Sequence, residues 1–143
     1  MRERYLRWAV AALALIGAGI AGYLTYTHFQ HTPPVCLNGS GCEVVQKSRW
    51  SELFGIPVAL LGLLTYLSIF TITVVRHPLA RQAGAMLALV ALGFNAYLFY
   101  IQAHEIGRYC TWCVSNEIVS LVLAPVAIAW LLSTDERQKN GSV

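Results

Sequence analysis

Four cysteines are the residues of this 143-residue chain best suited to do chemistry. Cys36 and Cys42 stand with five residues between them, and Cys110-Thr111-Trp112-Cys113 forms a Cys-x-x-Cys motif. Such thiols can exchange disulfides, bind a soft metal ion or staple loops. Four cysteines allow three pairings. A Cys36–Cys42 bridge is sterically easy, because Gly39 and Gly41 let the loop fold back until the Cα atoms lie about 4.4–6.8 Å apart. Closing so short a loop removes little chain entropy, so a reactive role suits that pair better than a purely structural one. Cys-x5-Cys is poor zinc-ligand spacing, and no metal site is expected. A carrier of soft metal ions is the alternative from a different class. It would want thiols within a span or at the other membrane face, where this chain has none.

The elements that must position these thiols are apolar. Hydrophobic residues make up 57% of the chain and charged ones 12%, against about 25% charged in soluble domains. Runs at about residues 8–27, 57–75, 83–103 and 114–132 are long enough for a hydrocarbon core of about 30 Å. They are expected to be helices, since a spanning segment satisfies its backbone hydrogen bonds internally. The fold class is therefore an all-α integral membrane protein: one domain over 1–143, built as a four-helix bundle. No nucleic-acid partner is expected. The first run exceeds the apolar core of a signal peptide, about 7–15 residues, and is expected to stay as a helix.

Orientation follows from the basic residues. With the N-terminus inside, Arg2, Arg4, Arg7, Arg76, Arg81, Arg137 and Lys139 are cytoplasmic, and Lys47, Arg49 and Arg108 are external. The positive-inside rule favours this arrangement. Both termini are then cytoplasmic, and all four cysteines face the oxidising side of the membrane. Cys110-x-x-Cys113 opens the fourth helix, where unpaired amides and the macrodipole would stabilise a thiolate at Cys113.

The largest segment outside the membrane is about residues 28–56. Pro33-Pro34 ends the first helix, and Asn38-Gly39-Ser40-Gly41 supplies turn residues between two cysteines. From Glu43 to Phe54 apolar and charged residues interleave, predicting a short amphipathic helix that caps the bundle. Trp50 and Phe54, four apart, would point down toward the helices. Ala14, Ala18 and Gly22 in the first span, and Gly84 and Ala88 in the third, form small-residue stripes for close packing. Pro125 predicts a kink in the fourth. Asn95 is expected to make an interhelical hydrogen bond. Glu117, one turn into the fourth span, is a functional candidate as an intramembrane ionisable group.

Cys42-Glu43-Val44-Val45-Gln46-Lys47-Ser48, then Gly55-Ile56-Pro57-Val58-Ala59-Leu60-Leu61-Gly62-Leu63-Leu64-Thr65-Tyr66, then Cys-x-x-Cys at the last helix, resembles the bacterial branch of the vitamin K epoxide reductase family. The resemblance runs from about Cys36 into the fourth helix. It implies a bundle around a quinone (ubiquinone or menaquinone) as electron acceptor, with the cysteines relaying electrons from a thioredoxin-like, DsbA-like exported partner. Carried over, Cys36 and Cys42 meet the partner, Cys110 exchanges with Cys42, and Cys113 lies next to the quinone. Ser48 matches the family's serine in the capping segment, and Trp50 the aromatic beside it. Ser51 stands where vertebrate members have a quinone-bonding asparagine, and Glu117 where they have a tyrosine. Phe54 and Tyr66 complete the expected quinone pocket, although Tyr66 also fits a cytoplasmic aromatic belt.

The resemblance thus implies a thiol:quinone oxidoreductase of the bacterial inner membrane that supports disulfide formation outside the cytoplasm. Vitamin K or vitamin K epoxide reduction proper is the alternative within the family. Many bacterial members carry a fused thioredoxin-like domain. This chain ends at Val143, so the expected partner is a separate polypeptide.

Overall fold

The computed structural model describes residues 2–32, 35, 44, 47–75, 77–107 and 109–141. Among them are four apolar helices: α1 (Arg2–Phe29), α2 (Val58–Val74), α3 (Pro78–Ile101) and α4 (Thr111–Gly141). Segments Arg2–Phe29, Leu79–Ile106 and Thr111–Ser133 are each long and apolar enough to cross a membrane. The 17 residues of α2 rise about 25 Å, a few ångströms short of a core of about 30 Å. This is a helical membrane protein. Each helix forms where an uninterrupted apolar run allows it. Pro78 sits in the first turn of α3, where the missing N–H costs nothing, and the His77 side chain accepts from the Leu79 amide at 3.2 Å. The helical run of α4 continues through Pro125.

α1 packs on α2 and α4, and α3 packs chiefly on α4. Small residues make this possible: Ala14, Ala18 and Ala21 of α1 are buried, as are Gly84 and Ala88 of α3. The tightest approach falls between the expected stripe positions. A Cβ on Gly17 would lie 2.5 Å from the Tyr66 ring, so the absence of a side chain at Gly17 is what lets Tyr66 sit fully inside the bundle. Leu15, Ile16, Val90 and Ile118 point outward, as residues facing lipid tails can without penalty.

One end of the bundle is tied by charge. Arg7 donates to the Thr73 carbonyl at 2.6 Å and to the Val74 carbonyl at 3.2 Å. It thereby satisfies terminal acceptors of α2 and meets the negative end of that helix. Arg81 pairs with Glu3 at 3.4 Å, joining α3 to α1.

The other end departs from expectation. The capping segment is not helical as far as Phe54. Val44 and Lys47 are helical, and Arg49–Ser51 forms one 3-10 turn. The chain then enters an antiparallel hairpin, β1 (Glu52–Leu53) with β2 (Ile56–Pro57), in the register Leu53↔Ile56. The two loop residues, Phe54 and Gly55, have φ of 54° and 81°, as a two-residue type I′ turn requires. Phe54 is consequently at the hairpin tip and 96% exposed. Its expected place against the helices is overturned, because a turn reverses the chain where a helix would have carried it inward. His28 reaches Glu52 at 3.0 Å and ties the hairpin to the end of α1.

Candidate active site

Cys110 and Cys113 flank the first turn of α4. Cys110 precedes the helix, in the N-cap position, and its Sγ accepts from the Cys113 amide at 3.4 Å. A serine or aspartate N-cap satisfies the same third-residue amide. The helix terminus expected to act on Cys113 thus directs this amide at Cys110. Cys110 is fully buried against Ile106, Trp112 and Cys113.

The approach to α4 is built by a π-helical turn, Gln102–Ile106, that ends at Gly107 with φ 70°. The Gly107 amide donates to the Gln102 carbonyl at 2.9 Å, and glycine adopts this left-handed conformation without steric cost. The turn places the Gln102 side chain so that its Oε1 accepts from the Cys110 amide at 3.0 Å. Such insertions recur at functional sites. Here the insertion fixes the backbone of a cysteine.

Trp112, inside the motif, reaches across to the loop. Its ring packs on Tyr23 of α1 with centroids 4.9 Å apart. The Trp112 indole N–H donates to the Val35 carbonyl at 2.5 Å, and the Val35 amide donates to the Tyr23 hydroxyl at 3.1 Å. Val35 is the residue before Cys36. Cys36 and Cys42 themselves, with the Asn38–Gly41 turn, lie outside the described residues. The side chain of Ser51 does too.

Beneath the motif is a cavity of about 90 Å³. One water needs about 10–15 Å³ by this measure, so the space is that of a small ring. Its walls are mostly apolar, including Leu24, Val58, Phe94, Leu98 and Ile101. The polar groups on it are Ser48, Trp50, Asn95, Gln102, Asn116 and Glu117, together with Cys113. Of the residues expected at a quinone pocket, Ser48, Trp50 and Glu117 are brought together here beside Cys113. Arg49 lies over the Trp50 ring at 4.7 Å. A flat ring carrying two carbonyls fits an apolar slot with a few convergent polar groups.

Tyr66 lies deeper, neither on this cavity nor in an interfacial belt. It is 1% exposed, and its hydroxyl shares a hydrogen bond of 2.9 Å with Ser120. Asn95 Nδ2 donates to the same Ser120 oxygen at 2.5 Å, and Asn116 Nδ2 donates to Asn95 Oδ1 at 3.3 Å. Asn95 therefore makes the interhelical bonds expected of it. A second cavity of about 210 Å³ lies between α2 and α3, lined by Leu61, Tyr66, Leu87, Val90 and others. It shares Gly62, Phe94, Asn95 and Asn116 with the first. Gln102 and Asn116 were not singled out from the sequence, although a polar side chain within an apolar span was the available signal.

The cysteine pair, with Cys110 buried and Cys113 on the cavity wall, the helix start that carries it and the adjoining apolar cavity suit redox chemistry on a lipid-soluble ring. The model of the vitamin K epoxide reductase family matches residues 8–128, from the first turns of α1 to well into α4. The chain belongs to the vitamin K epoxide reductase family.

Proposed function

We propose that this membrane oxidoreductase passes electrons from a thioredoxin-like exported protein, through Cys36–Cys42 and then Cys110–Cys113, to a quinone. The observation that carries the reading is the position of Cys113 on the cavity wall with Cys110 sealed behind it. Cys113 is then the thiol beside the quinone, and Cys110 the one that exchanges with the loop. The clamp on Val35 supports the second assignment, because it brings the chain leading into Cys36 to the motif.

The partner's thiolate attacks the Cys36–Cys42 disulfide at Cys36 and releases Cys42. The Cys42 thiolate attacks Cys110 of the Cys110–Cys113 disulfide and releases Cys113 as a thiolate. Resolution of the two mixed disulfides leaves the partner oxidised and Cys110 and Cys113 reduced. Each step is thiol–disulfide exchange, with a rate set by thiolate fraction and leaving-group pKa. Reoxidation of that dithiol gives up two electrons and two protons, which reduce one quinone to one quinol. The apolar walls exclude water, and the second cavity suits a prenyl chain. The cysteine end faces the extracytoplasmic side of the bacterial inner membrane, with both termini in the cytoplasm, in keeping with the basic residues.

The test is reduction of an added ubiquinone or menaquinone analogue by purified protein with a reduced thioredoxin-like protein. Cys113→Ala is expected to abolish quinone reduction and leave the partner reduced. Unchanged turnover in that variant would sink the reading. Altered metal accumulation with disulfides unaffected would instead support transport.

A further inference from the structure

We propose that Gln102 hydrogen-bonds the quinone oxygen nearest the cysteine pair, through the Nε2 end of its side-chain amide. The inference deepens the reading that the cavity takes a quinone, and it rests on that reading.

Gln102 is 4% exposed and lines the cavity together with Cys113. Its Oε1 is taken by the Cys110 amide at 3.0 Å. A backbone N–H can only donate, so this bond fixes which end of the side chain is which. Turning the amide over would set two donors against each other. Nε2 is therefore the end left over, and it can only donate. It bonds to no other group among the described residues, and neighbouring atoms do not seal it in. The cavity is the open space that Gln102 borders. A donor there calls for an acceptor, and a quinone carbonyl oxygen is one.

Position along the helix decides which oxygen is met. Asn95 lines the same cavity seven residues earlier, about 10 Å further in. Its side chain is already committed to Ser120 and Asn116. Gln102 stands at the outer end, with the thiol that delivers the electrons. As the ring is reduced, negative charge builds on the oxygen at that end. A donor already fixed in place favours the charged form over the neutral one. One amide thus does two jobs: Oε1 holds the backbone of Cys110, and Nε2 meets the substrate. The balance is unchanged, since the two thiols lose two electrons and two protons and the ring gains them. Gln102 donates a hydrogen bond and no proton.

The experiment uses the full chain in lipid nanodiscs with a prenylated benzoquinone carrying 13C at its carbonyls. Gln102→Glu keeps an oxygen for the Cys110 amide and replaces the donor with a second acceptor. Infrared difference spectra of the wild type are expected to show a quinone carbonyl stretch lowered relative to an apolar solvent. The substitution removes that lowering and reduces kcat/KM for quinone by about tenfold or more. Reduction of the Cys110–Cys113 disulfide by a reduced thioredoxin-like protein changes little. Equal slowing of both half-reactions would show that Gln102 serves only to position Cys110, and overturns the inference. Quinone bound without a lowered carbonyl, or a lowering that survives Gln102→Glu, overturns it too. In the wild type labelled with 15N-glutamine, quinone is expected to shift one side-chain amide resonance. No shift with quinone bound overturns the inference, and this arm decides if the variant fails to fold. If the wild type binds no quinone, the functional reading itself fails and the inference falls with it.

Discussion

The indole N–H of Trp112 donates to the carbonyl of Val35 across 77 positions of sequence, and so ties the Cys-x-x-Cys motif to the residue that leads into Cys36. The Tyr23 hydroxyl takes the Val35 amide from the other side. Both backbone groups of one loop residue are therefore held by side chains of the bundle.

Trp112→Phe keeps a ring on Tyr23 and removes the indole donor. One neutral hydrogen bond contributes about 1 kcal/mol, so oxidation of a thioredoxin-like partner should slow about fivefold. Quinone reduction driven by a small dithiol that reaches Cys110–Cys113 directly should change little. Stopped-flow rates with the two reductants separate these effects. Equal slowing with both would show that the indole acts on the motif itself and not through the loop.

Gly17→Ala puts a methyl group where the Tyr66 ring already sits. Overpacking of this kind costs about 1–3 kcal/mol, measurable as a lower thermal midpoint in detergent. Tyr66→Leu in the same chain should recover part of the loss, and the non-additivity of the pair measures their contact.

Gln102→Leu leaves the buried Cys110 amide without its acceptor. The expected loss is about 1–3 kcal/mol of stability. Hydrogen exchange at the start of α4 should rise in the variant. Unchanged protection there would show that the bond contributes nothing to positioning Cys110.

Phe54→Asn tests the corrected placement of that residue. Asparagine tolerates a positive φ and Asn-Gly favours a type I′ turn, so the variant should be at least as stable as the wild type. The KM for quinone should stay within about twofold, since Phe54 is outside the cavity. A large rise in KM would return Phe54 to the quinone pocket.

Much of this protein is written in short stretches of its sequence. A run of about 20 apolar residues must be helical in a bilayer, because each buried amide needs a partner inside the segment, and this alone determined four helices and a membrane location. Cys110 and Cys113 are three apart at a helix start, so their proximity was local as well. The expected helix up to Phe54 failed because an amphipathic pattern over a dozen residues says nothing about the φ of two turn residues. Gly17, rather than a residue of the regular small stripe, receives Tyr66 because ring packing depends on where α2 lies against α1. Val35 meets Trp112, Tyr66 meets Ser120, and Asn95 meets Ser120, across 77, 54 and 25 positions respectively. Local periodicity shows which face of a helix is apolar. Only the packing of the helices decides which polar atoms on those faces meet.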